Sequence, residues 1–432
     1  LHNNAESDDR RIEILKRIQD TRNRVADSVT SRYRDITIPA IEDENFWLDL
    51  SSHVAQQFGI NNPVGLRKLN NLLKISQDWI DVLSTGEANY DKFLVRTSQL
   101  VCGTLVGMGN KRLSIENSVF DWVIVDEAGR AQASELMIPL QSARKILLVG
   151  DHRQLPPFYE KSHLKSVANS LGISTTEVSK TDFERAFITN NGITLNTQYR
   201  MTSEIGEIVS HCFYNDTEGG LKTGRGPSPE WYGLLPPPWN RPVTWIDSGS
   251  GELSSGEEEV ARNKFINKHE VEAALCILKS LSTPETIANL KNTVTNEKPF
   301  PIGIITMYRA QKELFELEIS KSEWAAPLRP FIKINTVDSY QGQENKIIIL
   351  SLVRDNPNKN QGFLGDQPRI NVALSRAQER LIIFGARRMW RKNNTDSALS
   401  LVLDYIEDKV AINKEGYKIT DGTSIVKGAE NV

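Results

Sequence analysis

The sequence has only three cysteines, and they lie far apart at Cys102, Cys212 and Cys276. An odd and widely spaced set fits neither a disulfide framework nor a zinc site, and it favours a reducing, intracellular compartment. No apolar run approaches the roughly 20 residues that span a bilayer, so we expect no membrane-spanning segment. The amino terminus has no basic segment followed by an apolar one, which argues against a secretory signal.

An excess of charge of either sign is also missing. Lys and Arg number 52 and Asp and Glu number 55, which gives a formal net charge of −3. This balance neither supports nor excludes a nucleic-acid ligand, because only a local basic groove would matter. With 18 prolines, 27 glycines and 39% hydrophobic residues, the composition is that of a folded soluble chain and excludes a collagen-like or disordered one. The length of 432 residues favours about three structural units.

The spacing of the apolar residues changes along the chain. From about residue 8 to residue 90 they recur at helical spacing, as at Leu66, Leu69 and Leu73. From Leu100 onward, short apolar runs alternate with helical stretches, which favours a parallel sheet with helices on both faces. The predicted strands form two series, 100–104, 122–125, 146–149 and 193–195 in the first, and 243–246, 302–306, 332–336, 347–352 and 381–384 in the second.

These patterns predict a division of the chain. A segment rich in Gly and Pro, residues 219–241, separates the two series of strands and is typical of a crossing between two α/β domains. We therefore predict five parts in chain order, which are a helical segment (1–92), a first α/β domain (93–218), a linker (219–241), a second α/β domain (242–415) and a tail (416–432).

Two strands of the first series deliver polar side chains at their carboxyl ends, where open α/β sheets place their ligands. The strand at 122–125 is followed by Asp126 and Glu127, and the strand at 146–149 is followed by Gly150 and Asp151, with Gln154 three residues on. Hydrolysis of a nucleoside triphosphate needs one carboxylate for Mg²⁺ and another group that positions water. For Asp126 and Glu127, the alternative is a plain loop start. For the second segment, the alternative is that Asp151 caps a helix and that Gln154 is merely exposed.

Further polar blocks follow these two segments along the chain. In order, the blocks are Asp126-Glu127-Ala128, Gly150 to Pro157, Gln198-Tyr199-Arg200-Met201, 302–311, 335–344, 349–354 and 369–377. Their order resembles that of superfamily 1 helicases, on the branch of the nonsense-mediated-decay helicases and senataxin. The resemblance covers roughly residues 95 to 390, and it implies two RecA-like parallel-sheet domains, the first incomplete, preceded by a helical stalk or insertion. It further implies an ATP-dependent helicase or translocase on single-stranded RNA or DNA, with ATP and Mg²⁺ as cofactors.

The resemblance implies a role for each residue that would act on the phosphates. Asp126 resembles the carboxylate that binds Mg²⁺, Glu127 the base that orients water, and Gln154 the γ-phosphate sensor. Arg200 and Arg376 resemble the two cationic γ-phosphate contacts, with Arg376 supplied by the second domain as an arginine finger. A guanidinium suits this role because it binds phosphate oxygens bidentately and stays charged. The alternative for Arg376 is an arginine on a helix surface.

The remaining implied contacts concern the nucleoside. Tyr199 resembles the residue whose ring stacks on adenine, since an aromatic face suits a base. Glu344 resembles the acid that binds the ribose hydroxyls. Gly342 lies beside it, where we expect a close backbone approach that leaves no room for a Cβ atom.

For the nucleic acid, the resemblance implies contacts from short polar residues at strand ends. In this sequence they are Thr104, Thr306 with Tyr308, and Thr336, whose hydroxyl and backbone groups would bind phosphates without reading bases. The alternative for each hydroxyl is that it caps a local turn. Met307 stands where the family usually has proline, so the local backbone there departs from the family's pattern.

One motif of the family is missing, because the dipeptide Gly-Lys occurs nowhere in the 432 residues. The loop Gly-x-x-x-x-Gly-Lys-Ser/Thr cradles the β-phosphate in such enzymes, and the resemblance implies that it precedes the helical insertion. The chain begins with Leu1 rather than methionine, and we expect it to be a fragment that is inactive alone. One alternative is a pseudo-helicase that binds nucleic acid or regulatory protein partners. The other is a split enzyme, in which a second chain supplies the phosphate-binding loop. We expect the protein to be a monomer.

Overall fold

The computed structural model describes residues 2–33, 35–60, 62–84, 90–215, 219–249, 256–340, 342–391 and 397–430. Its contacts divide the chain into two units, Leu1–Val123 with Met137–Lys145, and Ile124–Leu136 with Ile146–Val432. The five-part division stays a prediction. Within the described ranges, no helix is both long enough and apolar enough to cross a membrane.

The first unit is built mainly from helices, which confirms the helical spacing found up to residue 90, apart from 34, 61 and 85–89, which lie outside the described residues. Its helices are α1 (His2–Arg32), α2 (Phe46–Gln57), α3 (Pro63–Ser84), α4 (Tyr90–Thr97) and α5 (Leu105–Met108). Ala26, Phe46 and Leu50 form a small buried cluster. The guanidinium of Arg22 lies 5.2 Å from the centroid of the Phe46 ring and donates a hydrogen bond to the carbonyl of Ile41 at 2.6 Å.

Two strands of the predicted first series are confirmed and two are wrong. Strands β1 (Phe120–Val125) and β2 (Ala143–Leu148) form a two-stranded sheet, with helix α6 (Ala133–Leu140) between them in the chain. Residues 100–104 and 193–195 are not strands. Leu100, Ile193 and Leu195 are exposed, so these apolar runs are not buried in the core of a sheet.

The second unit continues with helices and a short strand pair. The helices are α7 (Lys161–Leu171), α8 (Thr175–Ser179), α9 (Asp182–Thr189) and α10 (Ser203–Phe213). Strands β3 (Thr197–Gln198) and β4 (Lys222–Thr223) pair in parallel. Their pairing brings the Gln198-Tyr199-Arg200 segment against the start of the predicted linker.

The centre of the second unit is a six-stranded sheet whose order is β12-β5-β11-β10-β8-β9, all pairs parallel. Its five predicted strands are confirmed. The remaining elements, in chain order, are β5 (Val243–Asp247), β6 (Glu257–Ala261), β7 (Lys264–Asn267), α11 (Lys268–Lys279), α12 (Pro284–Thr293), β8 (Ile302–Thr306), α13 (Arg309–Lys321), β9 (Ile332–Thr336), β10 (Asn345–Ser351), α14 (Gln367–Leu374), β11 (Ala377–Phe384), α15 (Arg387–Trp390), α16 (Ala398–Ala411), β12 (Tyr417–Asp421) and α17 (Gly422–Glu430).

Both faces of this sheet are covered by helices. Ile348 and Leu350 of β10 belong to one hydrophobic cluster, with residues of α10, α14 and α16. Ile347 and Ile349 belong to the other, with residues of α11 and α13. Because successive side chains of a strand point to opposite faces, burial on both faces requires the continuous apolar runs from which these strands were predicted.

Two segments outside the predicted domains also belong to this unit. The segment 416–432 was predicted as a tail, but Tyr417–Asp421 pairs with β5 as the edge strand of the sheet. In the predicted linker 219–241, Trp239 is fully buried and its Nε1 donates a hydrogen bond to the carbonyl of Ile277 at 3.0 Å. The segment predicted as a linker is thus part of the core of the second unit, where its Tyr232 and Trp239 are buried.

A fully buried carboxyl group lies at the carboxyl end of β10. The carboxyl of Glu270 accepts hydrogen bonds from Ser351 Oγ at 2.6 Å, Val353 N at 3.0 Å and Ser248 Oγ at 3.3 Å. Burial raises the pKa of Glu270 to about 8, against the lowering effect of these three donors. Because the folded state holds this proton more tightly than the unfolded chain does, stability falls as the pH rises from about 4.5 to about 8.

Replacing Glu270 with glutamine keeps the size of the side chain and removes its titration. We expect the unfolding temperature of Glu270→Gln, relative to the unsubstituted chain, to rise between about pH 5 and about pH 8. One pKa unit corresponds to about 1.4 kcal/mol, and we expect the difference in unfolding free energy to reach at least that size. Calorimetry at the two pH values measures it, with Glu272→Gln, an exposed position of the same helix, as the control. If the unfolding temperatures of Glu270→Gln and the unsubstituted chain differed by the same amount at both pH values, the raised pKa of Glu270 would be contradicted.

Candidate nucleotide site

The loops after β1 and β2 are joined by backbone hydrogen bonds. Val149 N donates to the carbonyl of Val125, and Ala128 N donates to the carbonyl of Val149, both at 2.8 Å. A Cβ atom on Gly150 would lie only 2.8 Å from Gly129 N. The approach therefore requires glycine at position 150, and it brings the two predicted motif segments side by side.

The two carboxylates after β1 are both exposed. Asp126 Oδ1 accepts a hydrogen bond from Glu127 N at 2.9 Å, and Glu127 has a left-handed backbone with φ of 54°. Among the described residues, no three or more His, Cys, Asp or Glu side chains lie close enough together to hold a metal ion without other ligands. A single carboxylate fits Mg²⁺ that is held in addition by water and nucleotide phosphates, which is the usual way in which this ion binds.

Gln154 lies between a carboxylate and a guanidinium. Its Nε2 donates to Asp151 Oδ2 at 3.0 Å, and its Oε1 accepts from Arg376 Nη2 at 3.2 Å. The other nitrogens of Arg376 donate to the carbonyls of Val372 and Gln343, at 3.0 and 3.2 Å. Arg376 is only 2% exposed, so the alternative of a helix-surface arginine is wrong. Residues that are far apart in the sequence thus meet at one point.

The charge of Arg376 depends on its surroundings. Burial lowers the pKa of Arg376 to about 10, and the neighbouring charge of Arg200 acts in the same direction. The negative charges of Glu127 and Glu344 act in the opposite direction. The guanidinium therefore remains protonated at neutral pH, and it lies within the electrostatic reach of the predicted water-orienting carboxylate.

The second predicted arginine forms an ion pair with the predicted ribose acid. Arg200 Nε donates to Glu344 Oε2, and Arg200 Nη1 donates to the carbonyl of Ser375 at 3.1 Å. The other oxygen of Glu344 accepts from Gln378 Nε2 at 2.7 Å and from Lys298 Nζ. Burial of Glu344 opposes its ionisation, but the hydrogen bonds and charges of Lys298 and Arg200 prevail and lower its pKa.

Tyr199 offers an exposed ring on a rigid base. The side chain of Gln198 accepts hydrogen bonds from the backbone N–H groups of Arg200 and Met201, at 2.9 and 2.7 Å, which fixes the turn that carries Tyr199. A Cβ atom on Gly224 would lie 2.5 Å from Tyr199 Cε1, so the backbone of Gly224 lies directly against the ring. The other side of the ring faces solvent, and Tyr199 as a whole is 73% exposed.

The close approach of the nucleotide to Gly342 stays a prediction, and the backbone gives a separate reason for glycine at this position. A Cβ atom built on Gly342 meets no atom within 4 Å, so no close approach by the protein itself requires glycine. Its φ is instead 76°, a left-handed conformation that residues with a side chain adopt only at a cost. Gln341, which precedes it in the motif, lies outside the described residues.

The predicted nucleic-acid contacts are corrected at two positions. Thr306 is fully buried and its hydroxyl donates to the carbonyl of Tyr308 at 2.9 Å. The ring of Tyr308 is buried against Phe265, 5.4 Å between ring centroids, and against Phe363, 5.7 Å. Neither side chain faces solvent in this structure, because the aromatic cluster covers this end of β8. For Thr306, the alternative of a hydroxyl that bonds a local turn is confirmed.

The other two predicted contacts are accessible but also serve local structure. Thr104 is exposed and caps α5, with its Oγ1 accepting from Gly107 N at 3.1 Å. Thr336 is half-buried at the end of β9, and its Oγ1 lies 3.3 Å from Ser339 Oγ. Both stay predictions as nucleic-acid contacts.

Two side chains that hold Glu344 were not among the predicted site residues. Lys298 lies in the irregular segment before β8, and no motif or periodicity marks it. Gln378 follows the Ser375-Arg376-Ala377 motif by one residue and is the second residue of β11. Its position next to that motif is the only signal that could have identified it.

The chain is similar to helicases of known sequence. Two family models, each described as an AAA domain, match residues 1–162 and 178–388. The chain is 32% identical over 337 residues to the ATP-dependent helicase upf1 of Schizosaccharomyces pombe, covering 76% of this chain and 33% of the relative. It is 31% identical over 389 residues to the ATP-dependent helicase NAM7 of Saccharomyces cerevisiae, covering 86% and 37%.

The similarity extends to a further yeast protein and to a solved structure. The chain is 30% identical over 329 residues to the helicase SEN1 of Saccharomyces cerevisiae, covering 74% of this chain and 13% of the relative. The arterivirus nonstructural protein 10 helicase shares 14% identity and a TM-score of 0.29 over 66% of this chain and 42% of the other, a likeness too low to carry an argument.

This chain therefore spans 13% to 37% of the length of these three curated relatives. The two matched domains and the relatives at 30% to 32% identity agree with the motifs that meet at Gln154 and Arg376. The chain belongs to the superfamily 1 helicases, among the relatives of Upf1 and Sen1.

Proposed function

We propose that these residues are part of the motor core of an ATP-dependent helicase or translocase that acts on single-stranded RNA or DNA. The observation that carries the proposal is the contact between Arg376 Nη2 and Gln154 Oε1 at 3.2 Å. A sensor amide and a buried guanidinium in contact are suited to binding one γ-phosphate between them. In this proposal the six-stranded sheet and its helices form the second RecA-like domain. Strands β1 and β2 belong to the first, incomplete one.

The carboxylates after β1 would act on the metal and the water. Asp126 would hold Mg²⁺, which neutralises charge on the phosphates when it is bound. Glu127 would accept a hydrogen bond from the attacking water and turn it towards the phosphorus. Its exposure and its charge, which acts on Arg376, support a place beside the same phosphate.

The nucleoside would be held at the opposite side of the site. Adenine would stack on the accessible side of Tyr199, whose ring is supported by the backbone of Gly224. The ribose hydroxyls would donate to Glu344. Because both oxygens of Glu344 already accept hydrogen bonds from Arg200 and Lys298, the ribose would have to replace one of these donors. Replacing Arg200 would free its guanidinium for the γ-phosphate.

Motion of the protein along the nucleic-acid strand would come from changes at this nucleotide site. Opening and closing around ATP would shift two backbone grips relative to each other, as in other NTP-driven domain closures. Thr104 and Thr336 are the accessible hydroxyls of the predicted set. Contacts of this kind bind phosphates of any sequence, as a translocase requires.

The loop that cradles the β-phosphate is not contained in these 432 residues, since Gly-Lys does not occur. We therefore expect no ATP turnover by the chain alone, even with saturating single-stranded RNA, because the γ-phosphorus is not held in line with the water. Phosphate release is measured for this chain, with Glu127→Gln as the control. Turnover of about 10 s⁻¹, the median for enzymes, that disappears in Glu127→Gln would contradict this expectation.

The arginine finger is tested in the natural full-length protein, meaning a chain that contains these residues together with a phosphate-binding loop. We expect Arg376→Ala to lower kcat for ATP by about 10³- to 10⁵-fold, because it removes charge stabilisation in the transition state. The matched control is Arg387→Ala, which lies outside the matching blocks and removes an ion pair in which Arg387 Nε donates to Glu407 Oε1 at 2.9 Å. Equal rates for Arg376→Ala and Arg387→Ala would refute the role. No turnover by the unsubstituted protein would favour a pseudo-helicase.

The backbone grip predicts a binding affinity that depends on salt and tolerates any base sequence. If five phosphates are neutralised, the affinity of this chain for single-stranded RNA should fall with a log–log slope of about −3.5 against salt. Fluorescence anisotropy with oligonucleotides of different sequence measures the slope. A methylphosphonate oligonucleotide, which has no backbone charge, is the control. A slope near zero for ordinary RNA and DNA would rule out the phosphate grip.

A further inference from the structure

The hydroxyl of Tyr214 lies between a carboxylate and an amide at the end of α10. It donates a hydrogen bond to Asp151 Oδ2 at 2.5 Å and accepts one from Asn371 Nδ2 at 3.0 Å. The guanidinium of Arg153 lies 5.2 Å from the ring centroid, and its Nη1 donates to the carbonyl of Phe213 at 2.8 Å. The ring is therefore held on its face and at its hydroxyl.

Tyr214 is connected through Asp151 to the predicted γ-phosphate sensor. Asp151 Oδ2 accepts from both Tyr214 Oη and Gln154 Nε2, and Gln154 Oε1 accepts from Arg376 Nη2. An ionised carboxylate can only accept hydrogen bonds and a guanidinium can only donate them. The amide of Gln154 therefore has a single orientation that satisfies both neighbours, with its nitrogen towards Asp151 and its oxygen towards Arg376.

Asn371 closes this set of bonds on the other side. It is fully buried, and its Nδ2 donates to the carbonyl of Arg153 at 3.0 Å as well as to Tyr214. Its Oδ1 has no hydrogen-bond partner among the described residues. An unpaired buried oxygen is unfavourable, so the two acceptors on the nitrogen side fix how this amide points. The hydrogen bonds thus run from Asn371 through Tyr214, Asp151 and Gln154 to Arg376. Asn371 and Arg376 lie five residues apart, so the chain of bonds begins and ends in the same segment.

We infer that Tyr214 is a positioning residue for Gln154, and that Asn371 couples it to the segment that carries Arg376. The inference rests on the proposed function of Gln154 as the γ-phosphate sensor. Arg153 N donates to Asp151 Oδ1 at 2.9 Å, and the hydroxyl of Tyr214 donates to Oδ2, so together they hold the carboxylate in one rotamer. The carboxylate in turn holds the amide of Gln154. Without the hydroxyl, the carboxylate is held only at Oδ1 and is free to turn about that contact, and the amide of Gln154 gains rotational freedom with it.

The kinetic test uses Tyr214→Phe in the natural full-length protein. We expect kcat for ATP to fall roughly 10- to 100-fold, because a small misplacement of an orienting group has an effect of this size. KM for ATP and the affinity for single-stranded RNA should change less than about twofold, since Tyr214 contacts neither ligand in the proposal. An unchanged kcat would overturn the inference.

The matched control is Tyr417→Phe, which removes another buried tyrosine hydroxyl that lies 2.9 Å from a carboxylate oxygen of Glu207. It has no part in the set of bonds around Gln154. A purely structural role of Tyr214 would make the two variants equal in kcat and similar in thermal stability. A fall in kcat for Tyr214→Phe alone would support the inference.

A second test needs no activity and uses the 432-residue chain. The unfolding temperature is measured for Tyr214→Phe, Gln154→Ala and the double variant. We expect the double variant to lose less stability than the sum of the single variants, because Gln154 and Tyr214 share one acceptor in Asp151. With Tyr417→Phe in place of Tyr214→Phe, the losses should add. Additive losses for Tyr214 and Gln154 would overturn the inference.

The outcomes separate the inference from the proposed function. If the unsubstituted full-length protein hydrolyses ATP and Glu127→Gln abolishes this activity, but Tyr214→Phe is unaffected, only the inference fails. If the unsubstituted protein does not hydrolyse ATP, the proposed function fails. The positioning of Gln154 by Tyr214 is then supported or overturned by the stability measurements alone.

Discussion

The candidate site depends on the buried guanidinium of Arg376, which forms no ion pair with a carboxylate among the residues that the structure describes. Arg376 is 2% exposed, and its nitrogens donate to the carbonyls of Val372 and Gln343 and to the amide oxygen of Gln154. These acceptors are neutral, so they stabilise the buried charge only in part. Burial accordingly lowers the pKa to about 10. A buried and incompletely neutralised cation attracts an anion such as phosphate. The proposed roles of the surrounding residues depend on this attraction.

The fold brings the required groups to this cation from separate segments. The hydrogen bonds between the ends of β1 and β2 place the segment that follows Glu127 beside Gly150 and Asp151. The buried parallel strands β10 and β11 hold Glu344 and Arg376 at neighbouring positions, with Asn345 N donating to the carbonyl of Arg376 at 3.1 Å. Arg200 joins the two sets, because it donates to Glu344 and to the carbonyl of Ser375. In the proposed function, one bound γ-phosphate would contact groups from all of these segments.

The sequence allowed the strands of the second unit to be predicted, and the physical reason is their burial on both faces. A strand such as Ile347–Leu350 has to be apolar at every position, which gives it an unambiguous pattern. The same reasoning failed at 100–104 and 193–195, because an apolar run does not reveal whether a neighbouring strand is present. It also failed at 416–432, where the short alternation of Tyr417 and Ile419 is too weak to identify an edge strand.

The candidate site was predicted where chemistry and motif coincide, as at Glu127, Gln154 and Arg376. Accessibility could not be predicted, because the burial of Thr306 and Tyr308 depends on an aromatic cluster assembled from distant segments. For the same reason no local pattern marked Lys298 as a partner of Glu344. Contacts of this kind are set by tertiary packing, and no local pattern in the chain encodes them.

The most direct test of the central claim is the structure of the natural full-length protein with ADP, Mg²⁺ and aluminium fluoride, which mimics the transferred phosphoryl group. The account predicts that the fluoride ligands accept hydrogen bonds from Gln154, Arg200 and Arg376, with adenine on the ring of Tyr199. It would be contradicted if the nucleotide bound elsewhere, or if Arg376 remained bonded only to protein groups while the aluminium fluoride was held by other residues.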